Sequence, residues 1–139
     1  MLGAWRVGVV IPAKNEEAAI AEVLETLPAH VDVAVVIDDG SSDRTAERAH
    51  AAVAPCEVIV LRGHGDGVGA SIDRGHQHLL SVLQEPFLSV VMAGDGQMNP
   101  GDMGRLVQPI LEGVADHVKG NRKQHEKGYH NMPLSLIHI

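Results

Sequence analysis

Three clusters in this 139-residue sequence carry side chains whose chemistry goes beyond packing. Asp38-Asp39-Gly40-Ser41-Ser42-Asp43 places two adjacent carboxylates directly behind an apolar run. Such carboxylates can accept hydrogen bonds from a ribose hydroxyl or a base N–H, while Gly40 lets a ligand approach the backbone and Ser41 adds a small hydroxyl. A turn followed by a helix cap explains Ser42 or Asp43, but not the paired acids before them. Asp95-Gly96-Gln97 offers a carboxylate and, two residues on, a neutral amide oxygen. That donor set suits a hard divalent cation that also holds a diphosphate; a tight turn on Gly94 and Gly96 is the structural alternative. Gly120-Asn121-Arg122 brings a guanidinium that can clamp phosphate oxygens, unless it is an ordinary solvated arginine.

Other candidates weigh less. Gly65-Asp66-Gly67-Val68-Gly69-Ala70 fits the degenerate G-x-G-x-x-A fingerprint of dinucleotide sites. It follows a third strand instead of a first, and no acidic strand end lies about 20 residues on. The glycines are better suited to a loop that runs close under neighbouring groups. No Walker lysine follows, which removes the P-loop reading. The nine histidines are scattered, and His76 and His78 are spaced wrongly for one helical face. Cys56, the one cysteine, reads as a small buried hydrophobe and excludes a disulfide framework.

Alternating elements must position these clusters. β-branched runs predict strands over 7–11, 31–37, 57–61 and 87–92, with a short fifth over 116–119. Helical spacing predicts helices over 16–27, 42–52, 70–83 and 100–113. Ser42 or Asp43 is the expected cap of the second helix, with Glu47 placed to support it. Strands alternating with helices, and apolar along their length, imply a doubly wound, mostly parallel α/β sheet covered on both faces. Ligands of such sheets bind beyond the carboxyl ends of the strands. Lys14-Asn15-Glu16, Asp38-Asp39, Asp95-Gly96-Gln97 and Gly120-Asn121-Arg122 all fall there.

Composition excludes several classes. Eleven basic against 18 acidic residues give a net charge of −7, which disfavours nucleic acid and anionic lipid as generic partners. Trp5, Phe87 and Tyr129 are the only aromatic residues, so no base-stacking platform exists. No apolar stretch approaches the roughly 20 residues of a membrane span, and no basic region followed by an apolar run marks a signal peptide. The expected location is cytoplasmic, with an intact parent associated with the cytoplasmic face of a membrane.

Taken together, the motifs resemble glycosyltransferase family 2, with its Rossmann-like GT-A fold. The residues that carry the likeness are Val10-Ile11-Pro12-Ala13-Lys14-Asn15-Glu16-Glu17, Asp38 to Thr45, Gly67 to Ile72 with Gly75, Asp95 to Pro100, and Lys119 to Arg122. The Asp-Gly-Gln-x-x-Pro and Gly-x-Arg elements look most like the dolichyl- or polyprenyl-phosphate sugar transferase branch. The resemblance implies a UDP- or GDP-sugar donor and an acceptor such as a polyprenyl phosphate. Pro12, Ala13 and Glu16 would border the nucleoside, and Asp38 or Asp39, beside Ser41, would hold base or ribose. Gly67 would let the glycine loop approach the donor. Asp95 and Gln97 would coordinate Mg2+ or Mn2+, and Arg122 would neutralise the diphosphate.

The chain departs from that pattern in three ways. Ala93 stands where the first Asp of the usual Asp-x-Asp belongs, so one carboxylate ligand is missing and weaker metal affinity is expected. Asn99 stands where Asp is common, and Lys14 replaces the usual Tyr. The ending Leu134-Ser135-Leu136-Ile137-His138-Ile139 is also what a transposase library adapter encodes in one reading frame. Residues 1–133 are therefore expected to be the donor-binding half of a larger catalytic domain, inactive or weakly active alone, and 134–139 a non-native tail. Two other classes remain in view. A receiver-like signalling domain suits the length, the acid pair and Lys119, but lacks an Asp ending the third strand. A dinucleotide-binding oxidoreductase domain rests on Gly65 to Ala70 alone.

Overall fold

β-branched residues dominate four segments, and each becomes a parallel strand. The computed structural model describes residues 1–120 and the strand 135–138. Its elements run β1 (Arg6–Ala13), α1 (Ile20–Glu25), β2 (Val33–Asp38), α2 (Thr45–Ala51), β3 (Glu57–Arg62), α3 (Val68–Val82), β4 (Phe87–Val91), a 3-10 turn (Pro100–Asp102), α4 (Met103–Leu111), β5 (His117–Lys119) and β6 (Ser135–His138). The sheet order is β3-β2-β1-β4-β6-β5. β1 pairs in parallel with β2 and β4, and β2 with β3. β6 is antiparallel to both β4 and β5, so the sheet is mostly parallel, as its sequence implies. Periodicity marked no strand after β5; Ser135–His138, set apart in the sequence, lies in the sheet between β4 and β5.

Both faces of the sheet are covered. Val7, Val9 and Ile11 of β1 face one core with α1, α2 and α4, through Ile20, Leu24, Ala49, Met103 and Val107. Val10 faces the other way, into a core shared with Val35 and Ile37 of β2, Phe87 of β4 and Leu79 of α3. The buried face of α3 is Ser71, Gly75 and Leu79, four residues apart and hence one above the other. Gly75 brings this helix onto the sheet: a Cβ there would sit 2.3 Å from Val10 Cγ1. Among the described residues no helix is long and apolar enough to cross a membrane.

Element boundaries shift for local reasons. β1 continues through Pro12, which lies opposite Ile37 and whose carbonyl accepts the Gly94 amide at 3.2 Å. α1 starts only at Ile20, because the amides of Glu16 and Glu17 are bonded to Thr45 Oγ1 (2.9 Å) and Asp43 Oδ2 (3.3 Å) in the next connection. At α2 the capping position falls on Arg44 instead of the expected Ser42 or Asp43 and makes no side-chain cap bond; Asp43, one residue earlier, takes the Thr45 amide at 3.0 Å, and Glu47 pairs with Arg44 at 3.0 Å. These connections leave four strand ends on one rim.

Candidate functional site

The rim is built from loops that hold one another. Asn15, after β1, adopts a left-handed backbone with φ 54°, which Asn tolerates better than most residues. In that conformation its Oδ1 accepts the Ser42 amide at 2.9 Å, and its own amide donates to Ser41 Oγ at 2.8 Å. Glu17 closes the same seam by accepting the Arg44 amide at 3.1 Å. Asp43 is held below the usual carboxylate range, chiefly by the Thr45 hydroxyl. Much of the Asp38 to Thr45 motif therefore fixes the β1 and β2 connections to each other.

The two adjacent acids, both buried, divide their work. Asp38 Oδ1 accepts the Ser41 amide at 3.0 Å and closes a turn. Asp39 reaches across to the glycine loop after β3. Its Oδ1 accepts the amides of Gly65 (3.0 Å) and Asp66 (3.1 Å), and its Oδ2 accepts that of Gly67 (2.9 Å). The Gly67 amide is the main cause that holds this carboxyl below its ordinary range, with Asp66, Gly65 and the charge of Lys14 acting the same way against burial. Gly63 is required here, since a Cβ would fall 2.5 Å from Asp39 Oδ1. Gly67, with φ 100°, then caps α3 and starts it at the rim. The glycine loop is thus a strapped segment under the acid pair.

Asp95 lies in the loop after β4, where its Oδ1 accepts the Gln97 amide at 3.0 Å. Glu16 comes near enough to feel it. Burial first, then the charges of Asp95 and Asp43, push the Glu16 carboxyl up.

A cleft of about 320 Å3 opens on this rim. Pro12, Ala13, Glu16, Asp39, Gly67 and Asp95 all line it, which brings together six of the residues singled out in the sequence. Asp38, Ser41 and Gln97 lie beside it, outside its lining. Lys14 and Ala93, noted in the sequence as a rim residue and as the missing metal ligand, also line it, as do Val68 and Ser71, which were given no site role. Lys14 was legible as a cation next to a strand end facing acids. Arg122 lies outside the described residues. A larger cleft of about 440 Å3 sits behind the Asp95 loop, between α1 and the 3-10 turn, but among the described residues Glu22 is the only charged side chain on it. The strand-end chemistry belongs to the smaller one.

A divalent ion fits this rim only with help. Among the described residues no three His, Cys, Asp or Glu side chains form a ligand set. Asp95, with Glu16 on the same wall, supplies hard oxygen donors, and the remaining positions suit diphosphate oxygens and water, a common arrangement for Mg2+.

Comparison with known proteins agrees with this geometry. Residues 8–138 match the family model described as Glycosyl transferase family 2. An uncharacterized protein of Methanocaldococcus jannaschii is 36% identical over 128 residues, covering 91% of this chain and 50% of its own length. The UDP-N-acetylglucosamine–dolichyl-phosphate N-acetylglucosaminyltransferase of Methanococcus voltae is 28% identical over 141 residues, covering 91% of this chain and 55% of that protein. Among solved structures, the glucosyl-3-phosphoglycerate synthase of Mycobacterium tuberculosis, in complex with Mn2+, UDP-glucose and phosphoglyceric acid, superposes with a TM-score of 0.64 at 26% identity, over 89% of this chain and 46% of that one. The chain spans about half the length of the curated relatives it matches. With its GT-A sheet and rim, the chain belongs to glycosyl transferase family 2.

Proposed function

We propose that this chain is the donor-binding half of a glycosyltransferase that moves a sugar from a UDP- or GDP-sugar to a polyprenyl phosphate. The observation that carries the reading is the convergence of Pro12, Ala13, Glu16, Asp39, Gly67 and Asp95 on one cleft at the ends of β1, β2 and β4. Pro12 and Ala13 give the nucleoside an apolar edge, and Glu16 borders it. Asp39, already bound by three amides, keeps acceptor capacity on Oδ2 for a base or ribose donor. Asp38 and Ser41 shape the turn behind it, and Arg122 adds charge at the diphosphate.

The reaction replaces the bond from the anomeric carbon to the diphosphate oxygen with one to an acceptor oxygen. A nucleoside diphosphate leaves, and its growing negative charge must be stabilised. Asp95 and Gln97 would hold Mg2+ or Mn2+, which supplies Lewis-acid stabilisation of that leaving group when bound. The acceptor class rests on the name of the Methanococcus voltae relative, which acts on dolichyl phosphate. The chain as it stands binds donor and turns over poorly, since it spans about half of its relatives. A cytoplasmic location, at the membrane face where a polyprenyl phosphate is reached, belongs to the same reading.

Titration calorimetry of the folded chain with UDP- and GDP-sugars in the presence of Mn2+ tests the donor site. Saturable binding of one of the two is expected; no binding of either overturns the reading.

A further inference from the structure

The cleft contains three carboxylates, Glu16, Asp39 and Asp95, yet the ligand proposed for it is a polyanion. Unless positive charge is supplied, such a wall repels a diphosphate. The metal ion is one source, but its hold here is thin, because Ala93 presents a methyl group on the same wall and no third ligating side chain joins Asp95 and Glu16 among the described residues. Besides Arg122, which lies outside the described residues, a further source is on the chain. Among the described residues, Lys14 is the only cationic side chain that lines the cleft. It follows directly on β1 and is exposed. The ion pairs of the described residues involve the amino terminus, Arg6 and Arg44, and none involves Lys14. Asp39, the acid whose field it shares, stays ionised, but its oxygens are already engaged by three backbone amides. The ammonium thus faces the cleft without a carboxylate of its own to satisfy, and lysine is a common point-charge partner of phosphate.

We propose that Lys14 meets the diphosphate of the donor and that this chain therefore holds a nucleoside diphosphate without depending on a divalent ion. The inference rests on the donor-site reading and assigns the group that balances charge within it. Asp95 then adds the ion as an increment to affinity, and Lys14 contributes to the part that survives chelation.

Calorimetry of UDP, GDP, uridine and guanosine, each in EDTA and in Mn2+, on the unmodified chain, Lys14→Gln and Lys14→Arg, tests this. Position 14 is exposed, so all three chains are expected to unfold at the same temperature. The expected result is diphosphate binding in EDTA that Lys14→Gln weakens by about ten- to hundredfold, the worth of a charge-assisted contact. Lys14→Arg retains most of it, and affinity for the bare nucleosides does not change. Three results overturn the inference: undiminished binding by Lys14→Gln in EDTA, an equal loss for nucleoside and diphosphate, or diphosphate binding that needs Mn2+ in the unmodified chain. If no nucleotide binds with or without Mn2+, the donor reading itself fails.

Discussion

The amide of Gly67 donates to Oδ2 of Asp39 at 2.9 Å, across 28 positions of sequence. This bond, with those from Gly65 and Asp66, ties the end of β2 to the start of α3 and sets one wall of the cleft. Asp39→Asn keeps one acceptor oxygen but turns the other toward an amide as a second donor. If the retained oxygen serves Gly65 and Asp66, the Gly67 amide is left without a partner and exchanges with solvent faster than its neighbours. Amide hydrogen exchange by NMR reads this directly. The pH dependence has a definite sign: a carboxyl held below its ordinary value of 3.8 contributes stability that is complete above that value and is lost as the folded group protonates. Protection of the three amides should persist to pH 4 and disappear only in stronger acid.

How much of this could be read beforehand differs between the acids. Apolar, β-branched runs alternating with helical spacing placed the strand ends, and with them the rim, because burial on both faces leaves a continuous apolar signature. The role of Asp39 could not be read in the same way. A carboxylate that accepts amides 26 to 28 positions away has no local pattern to distinguish it from one that awaits a ligand. Asn15 is similar: its left-handed backbone becomes visible only when Ser42 is seen across from it. Glu47 was expected by spacing to support the cap of α2, but the neighbouring Arg44 offered it an opposite charge. Lys14 was noted for its difference from a family pattern, while its place as the one cation on the cleft among the described residues depends on which charges surround it.

Close packing of α3 on β1 gives a stability prediction. Gly75→Ala puts a methyl where Val10 Cγ1 would lie 2.3 Å away, inside any allowed contact. Overpacking of this kind costs about 1–3 kcal/mol. Urea unfolding should show that loss with an unchanged m-value, and Gly69→Ala, where a Cβ meets nothing within 4 Å, should not show it.

His76 gives a second pH dependence. Its Nδ1 faces the Ser89 hydroxyl, and its Nε2 is buried without a hydrogen-bond partner among the described residues. Burial holds the imidazole below its ordinary value of 6.5, against the pull of Asp73. With the folded value depressed, full stability is present above pH 6.5 and is lost as pH falls through the folded value. His76→Gln removes one such group, so the fall in melting temperature below pH 6.5 should be shallower. It should not vanish, because burial and the amino terminus also lower His30.

Asp95→Ala separates the ion from the nucleotide. The carboxylate that would hold Mn2+ disappears, while the loops around Asn15 and Asp39 keep their bonds. Mn2+ should then no longer strengthen UDP or GDP binding, whereas affinity measured in EDTA should stay the same or rise slightly, as one negative charge has left the cleft. A Mn2+ enhancement that survives the substitution would place the ion elsewhere.

Mapping amide shifts of the 15N-labelled chain during titration with UDP and with GDP tests the donor cleft most directly. The account predicts that one of them moves the amides of Ala13 to Glu16, Gly65 to Val68 and Ala93 to Asp95, the residues that meet on the cleft. Shifts centred instead on Glu22, Thr26 and Met98, around the larger cleft behind the Asp95 loop, would contradict it.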